Sequence, residues 1–230
     1  METHPMNTFG RRQRRRLAKR RGFTLLETML TLVIVTVGVA AVFDSYSAFT
    51  IANEWSSRTA TAELLANEIR EFTRTLPRHD PVTGLDVDDD AATVYGWGLE
   101  PGEILATDID DIDDLDGIRF IYSGADLQNL EMPGPIDAGG NVVDQYIINS
   151  VDRASGDAVQ FGWIQTVTVT KVHPFDYAEV LDADFSEDAD GDFRGRDADD
   201  YPLRISVTVG YQGSFDADAQ DITTLSWIVP

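Results

Sequence analysis

The sequence predicts an α+β protein: one long N-terminal helix packed on a C-terminal antiparallel sheet. Three observations carry this. No proline interrupts Phe23 to Leu76, and Gly38 is the one glycine in that interval. Leu203, Ile205, Val207, Val209 and Tyr211 alternate with Arg204, Ser206, Thr208, Gly210 and Gln212, the period of two of a half-buried strand. Between the two regions, Pro81, Gly84, Gly96, Gly98, Pro101 and Gly102 break regular structure.

The helix has two characters. From Phe23 to Phe43 the one ionisable side chain is Glu27. At ~1.5 Å per residue that stretch spans roughly 32 Å, enough to cross a hydrocarbon core of ~30 Å. Farther on, Ala62, Leu65, Ile69, Phe72 and Leu76 recur at spacings of three and four and draw one apolar stripe. Pro77 is expected to end the helix at Leu76. The chain therefore divides into residues 1–22, a basic leader; 23–43, a membrane or core half of the helix; 44–76, an amphipathic half; and 77–230, an acidic head.

Charge is distributed as unevenly as hydrophobicity. The 230 residues carry a formal net charge of −22, yet residues 1–22 hold eight basic side chains against the single acid Glu2. The basic cluster Arg11–Arg21 directly precedes the apolar run, so topology explains it better than nucleic-acid binding does, and it should stay on the cytoplasmic side. The remainder is strongly acidic and repels nucleic acid and anionic headgroups. Cysteine is absent, so the head gains nothing from disulfides.

Arg20-Arg21-Gly22-Phe23-Thr24-Leu25-Leu26-Glu27 and the apolar run behind it resemble the class III signal of type IV pilins and type II secretion pseudopilins. That resemblance implies a pilin-like fold and processing by prepilin peptidase between Gly22 and Phe23, with N-methylation of Phe23. It implies inner-membrane insertion with the head outside the cytoplasm. It further implies assembly with other pilin or pseudopilin subunits into a periplasmic or surface filament. Glu27 then lies about one turn from the new α-amine, which stays cationic at neutral pH. The ammonium of one subunit can pair with Glu27 of another; breaking a buried pair typically costs ~3–5 kcal/mol, enough to set register. An acid within an apolar span is otherwise hard to explain. The same Arg20-Arg21-Gly22-Phe23 also resembles a twin-arginine export signal, with Gly38-Val39-Ala40 as a small-residue cleavage site; Glu27 and the length of the apolar run argue against it.

Two acidic segments are candidates for calcium, which takes several oxygen ligands. In the first, Asp108 to Gly117 before a strand at 118–122, the candidates are Asp113, Asp114 and Asp116; their Asp-Asp-Leu-Asp-Gly run resembles one found in minor pilin-like proteins. In the second, Asp188-Ala189-Asp190-Gly191-Asp192 alternates carboxylates around a turn, with Asp197 farther on. Some pseudopilins hold calcium in such a loop near the C-terminal sheet. Neither segment matches an EF-hand: Ile112 and Ser186 stand at the first ligand positions. The plain reading of both is a solvated acidic turn.

Further strands are expected from Phe161, Trp163, Val167 and Val169, and from Thr223, Leu225, Trp227 and Val229. Catalysis has little support. The three histidines, His4, His79 and His173, are scattered, and no nucleophile, phosphate-loop or zinc motif is present. A structural filament subunit is therefore expected, probed against one competing class: a membrane-anchored or exported calcium-dependent binding module that does not polymerise.

Overall fold

The computed structural model describes residues 23–82, 84–88, 93–124, 126–143 and 161–230. The leader and Gly22 lie outside the described residues. Helix α1 runs unbroken over Leu25–Thr73. Four strands of three residues each follow in the connecting region: β1 (Asp86–Asp88) and β2 (Thr93–Tyr95), an antiparallel pair, and β3 (Arg119–Ile121) and β4 (Glu131–Pro133), a parallel pair. The long strands are β5 (Gly162–His173), β7 (Leu203–Gln212) and β8 (Gln220–Val229), with β6 (Asp176–Val180) between β5 and β7 in sequence.

The main sheet has the order β4-β3-β5-β7-β8, and β6 pairs with β5 beside it. Its pairings are antiparallel except β3 with β4, which run parallel. β5 and β7 pair over ten residues, from Gly162 opposite Gln212 to Lys171 opposite Leu203. This is the predicted α+β arrangement, with a mostly antiparallel sheet.

The apolar stripe folds as its spacing requires. Ala62, Leu65, Ala66, Ile69 and Phe72 are buried against Trp163, Val167 and Val169 of β5 and Leu203, Ile205, Val207 and Val209 of β7. Ile109, Ile112, Leu115 and Ile118 close the same core from the connecting region. Gln165 sits on the core face of β5 and is fully buried. Its Nε2 donates to Leu65 O of α1 at 2.9 Å and to Ile136 O at 3.1 Å, while its Oε1 accepts from Ile136 N at 2.7 Å. A buried amide thus has its donors and acceptor satisfied, and it joins helix to sheet.

Two boundaries differ from expectation. α1 ends at Thr73 rather than Leu76, because Arg74, Thr75 and Leu76 donate to carbonyls three residues back and tighten the last turn. The strand expected at 118–122 is the shorter β3.

Candidate functional site

The N-terminal end of α1 is built by a short polar motif. Thr24 precedes the helix, and its Oγ1 accepts from Glu27 N at 3.3 Å. Thr24-Leu25-Leu26-Glu27 is therefore the sequence pattern of a capping box, with threonine as the cap and glutamate three residues on. Glu27 also places negative charge in the first turn, where the helix dipole favours it. These are local reasons for Glu27 that the spacing of apolar residues does not reveal. They give Glu27 a role within its own helix.

Beyond Glu27 the helix is apolar and exposed as far as Phe43. Every residue from Phe23 to Ser57 is exposed, including Leu32, Val33, Ile34, Val35, Val39 and Phe43. Its hydroxyls are nevertheless turned inward on the backbone. Thr28 donates to Leu25 O at 2.8 Å, Thr31 to Glu27 O at 2.7 Å and Thr36 to Leu32 O at 2.8 Å. These three hydroxyls are satisfied by their own helix, the condition for burial in lipid or between helices. α1 is long and apolar enough to cross a membrane.

The connecting region contains a second polar assembly. Asp113 and His79 are both buried and share a hydrogen bond between Oδ2 and Nδ1. Burial opposes charge on both, drawing His79 down to about 4 and pushing Asp113 up to about 7. Asp113 Oδ1 also accepts from Gly98 N at 3.2 Å. Asp116 Oδ1 accepts from Val169 N at 2.9 Å, and its Oδ2 accepts from Trp97 Nε1 at 3.2 Å. Asp113 and Asp116 thus fasten the acidic segment to His79, the Trp97 loop and β5.

Asp114 faces other carboxylates. Oxygens of Glu100, Asp111 and Asp114 lie within 4.8 Å of one another, and so do oxygens of Glu103, Asp110 and Asp114. Burial, reinforced by neighbouring negative charge, pushes Asp111 up to about 8 and Asp114 up to about 9. Sequence alone grouped Asp113, Asp114 and Asp116; the folded chain separates them and brings Glu100 and Glu103 to Asp114 instead. Glu100 and Glu103 follow the breakers Gly96, Gly98, Pro101 and Gly102, and nothing in their spacing from Asp114 announces the approach.

The second acidic segment is arranged differently. Asp188, Asp190, Asp192 and Asp197 are all exposed, and they are not among the carboxylates that converge in the described residues. Gly191 adopts a φ of +58°, which suits glycine, and lets Asp190 and Phe193 exchange backbone hydrogen bonds at 3.0 and 2.9 Å. Glu187 and Arg196 exchange another pair at 3.0 and 2.8 Å. Lys171, buried on β5, donates to Ala183 O and Phe185 O and holds the base of the segment to the sheet.

Comparison with known families adds one finding. Residues 17–43 match the prokaryotic N-terminal methylation motif, the signature of prepilin-type cleavage in type IV pilins and pseudopilins. The match is confined to those residues; no curated protein and no solved structure matches the chain. Motif, exposed apolar helix and mostly antiparallel sheet together support a type IV pilin-like or pseudopilin precursor, and they fit anchoring in the inner membrane.

Proposed function

We propose that this chain is a structural filament subunit, a minor pilin or pseudopilin of a type IV pilus or type II secretion system. Prepilin peptidase cuts between Gly22 and Phe23, and the amine of Phe23 is methylated. The basic leader holds the cytoplasmic side, residues 23–43 cross the inner membrane, and the acidic head lies outside. On assembly the same apolar helix leaves lipid for the filament core, and Glu27 pairs with the Phe23 ammonium of a neighbour.

The observation that carries this reading is the exposed apolar surface from Phe23 to Phe43 with one acid, placed within a methylation motif. A helix with such a surface needs lipid or other helices around it. The acidic exterior and the absence of any nucleophile, zinc or phosphate-loop motif support a structural rather than catalytic role.

Two substitutions test the role of Glu27. Glu27→Gln keeps the capping pattern and removes the charge, whereas Glu27→Leu removes both. Processing, membrane insertion and filament incorporation are read together. Loss of incorporation in both variants, with insertion intact, supports charge pairing. Loss in the leucine variant alone assigns Glu27 to the helix cap, and normal assembly of both overturns the register role.

A further inference from the structure

Among the described residues, Asp111 and Asp114 are fully buried carboxylates with no ion-pairing partner. Each is held by the loop through one oxygen. Asp111 Oδ1 accepts from Asp114 N at 3.1 Å, and Asp114 Oδ2 faces Asp110 N and Asp111 N at 3.4 Å. The other oxygen of each, Asp111 Oδ2 and Asp114 Oδ1, is buried with no hydrogen-bond partner, and so is Glu100 Oε1. These three side chains are the ones whose oxygens gather within 4.8 Å.

Buried carboxylate oxygens without donors are costly, and like charges at this separation repel. The side chains gathered beside them are further acids: Glu103 and Asp110 group with Asp114. The surrounding loop is organised by hydrogen bonds that leave these three oxygens unused. Glu103 Oε2 accepts from Glu100 N at 2.7 Å, and Asp108 Oδ2 accepts from Ile104 N and Leu105 N at 3.2 and 3.0 Å. The missing component is a positive charge that accepts several oxygens at once.

We infer that Glu100, Asp111 and Asp114 form a divalent-cation site of the hard, oxygen-only class, with calcium the best fit. The donor set has no sulfur or nitrogen, which disfavours zinc and copper. Calcium tolerates irregular geometry and fills its six to eight positions with carboxylates, backbone carbonyls and water. Glu103 and Asp110, which also gather around Asp114, add negative potential and reserve oxygens. The site is distinct from the exposed 188–197 segment. It ties the loop after Gly98 to the acidic turn that caps the helix-and-sheet core, so an ion there would brace the connecting region.

The test is calcium binding by the full processed chain in detergent micelles, stripped with EDTA and titrated with CaCl2 by calorimetry. The expected result is saturable binding that Asp114→Asn weakens. Outer partners of a metal ligand are already worth about 10–100-fold, so losing a direct ligand should cost ~10-fold or more. Glu100→Gln, on a partly exposed side chain, should weaken binding as well and guards against misfolding of the buried variant. Far-ultraviolet circular dichroism confirms that each variant is folded. The pair Asp188→Asn and Asp192→Asn should bind as the parent does. No calcium binding by the parent overturns the inference. Binding that survives Asp114→Asn and Glu100→Gln, or that is lost in the 188 and 192 variant, overturns it too.

Discussion

Ile34 and Ile69 stand on one continuous helix, yet Ile34 is 62% exposed and Ile69 is fully buried. The local backbone is the same and the surroundings are opposite. Around Ile69, the head supplies its own apolar partners from β5, β7 and the connecting region. Ile34 is not part of that core. Hydrophobic burial stabilises only where there is something to be buried against, so the first half of α1 is apolar for the sake of an environment outside the folded chain. A soluble protein selected for its own stability would not carry such a surface along some twenty residues. The difference between the halves is the physical content of the filament reading.

The comparison breaks most sharply at the two isoleucines. Ile69→Ala should destabilise the head by about 2–5 kcal/mol in urea unfolding of the full chain in micelles, through lost burial and a residual cavity. Ile34→Ala should leave the head within ~0.5 kcal/mol of the parent, because Ile34 is exposed. Equal losses from the two would mean that Ile34 contributes to the stability of the head, against its exposure.

A smaller effect comes from pH, and it belongs to the packed part alone, since Phe23–Phe43 contains no cationic side chain. Burial lowers Lys171 from its ordinary value of 10.5 to about 8, against the opposing pull of Asp184, Asp199 and Asp113. Between these values the unfolded chain binds the proton and the folded chain does not, so stability rises with pH from about 8 towards 10.5. Below about 8 that gain is lost. Unfolding of the parent against Lys171→Met, measured from pH 7.5 to 9.5, should show the parent gaining relative to the variant. A flat difference would place Lys171 as an ordinary solvated lysine.

Much of this was legible in the chain itself, and the limits are instructive. Spacing alone located Ala62, Leu65, Ile69 and Phe72 because a helix repeats its buried face every three or four residues. Alternation located Leu203 to Val209 for the corresponding reason in a strand. The β5 pattern held a clue in its own defect: Trp163, Val167 and Val169 share a face with Gln165, and that polar interruption is the residue bonded to Leu65 O and Ile136. The methylation motif was legible because it is contiguous. The carboxylate cluster was not, since Glu100 and Asp114 meet through a loop path that has no period. For the same reason Asp113 and Asp116 looked like ligands until His79, Trp97 and the Val169 amide were found beside them. Composition could not separate the two acidic segments; burial does, with Asp111 and Asp114 inside and Asp188 to Asp197 outside.

The central claim is that the apolar half of α1 begins at a processed N-terminus and serves assembly. Intact mass and N-terminal sequencing of the protein recovered from membranes test it most directly. The account predicts a chain that starts at Phe23 with a methylated amine and retains Glu27. A chain that starts after Ala40, or one that still carries residues 1–22, would contradict it.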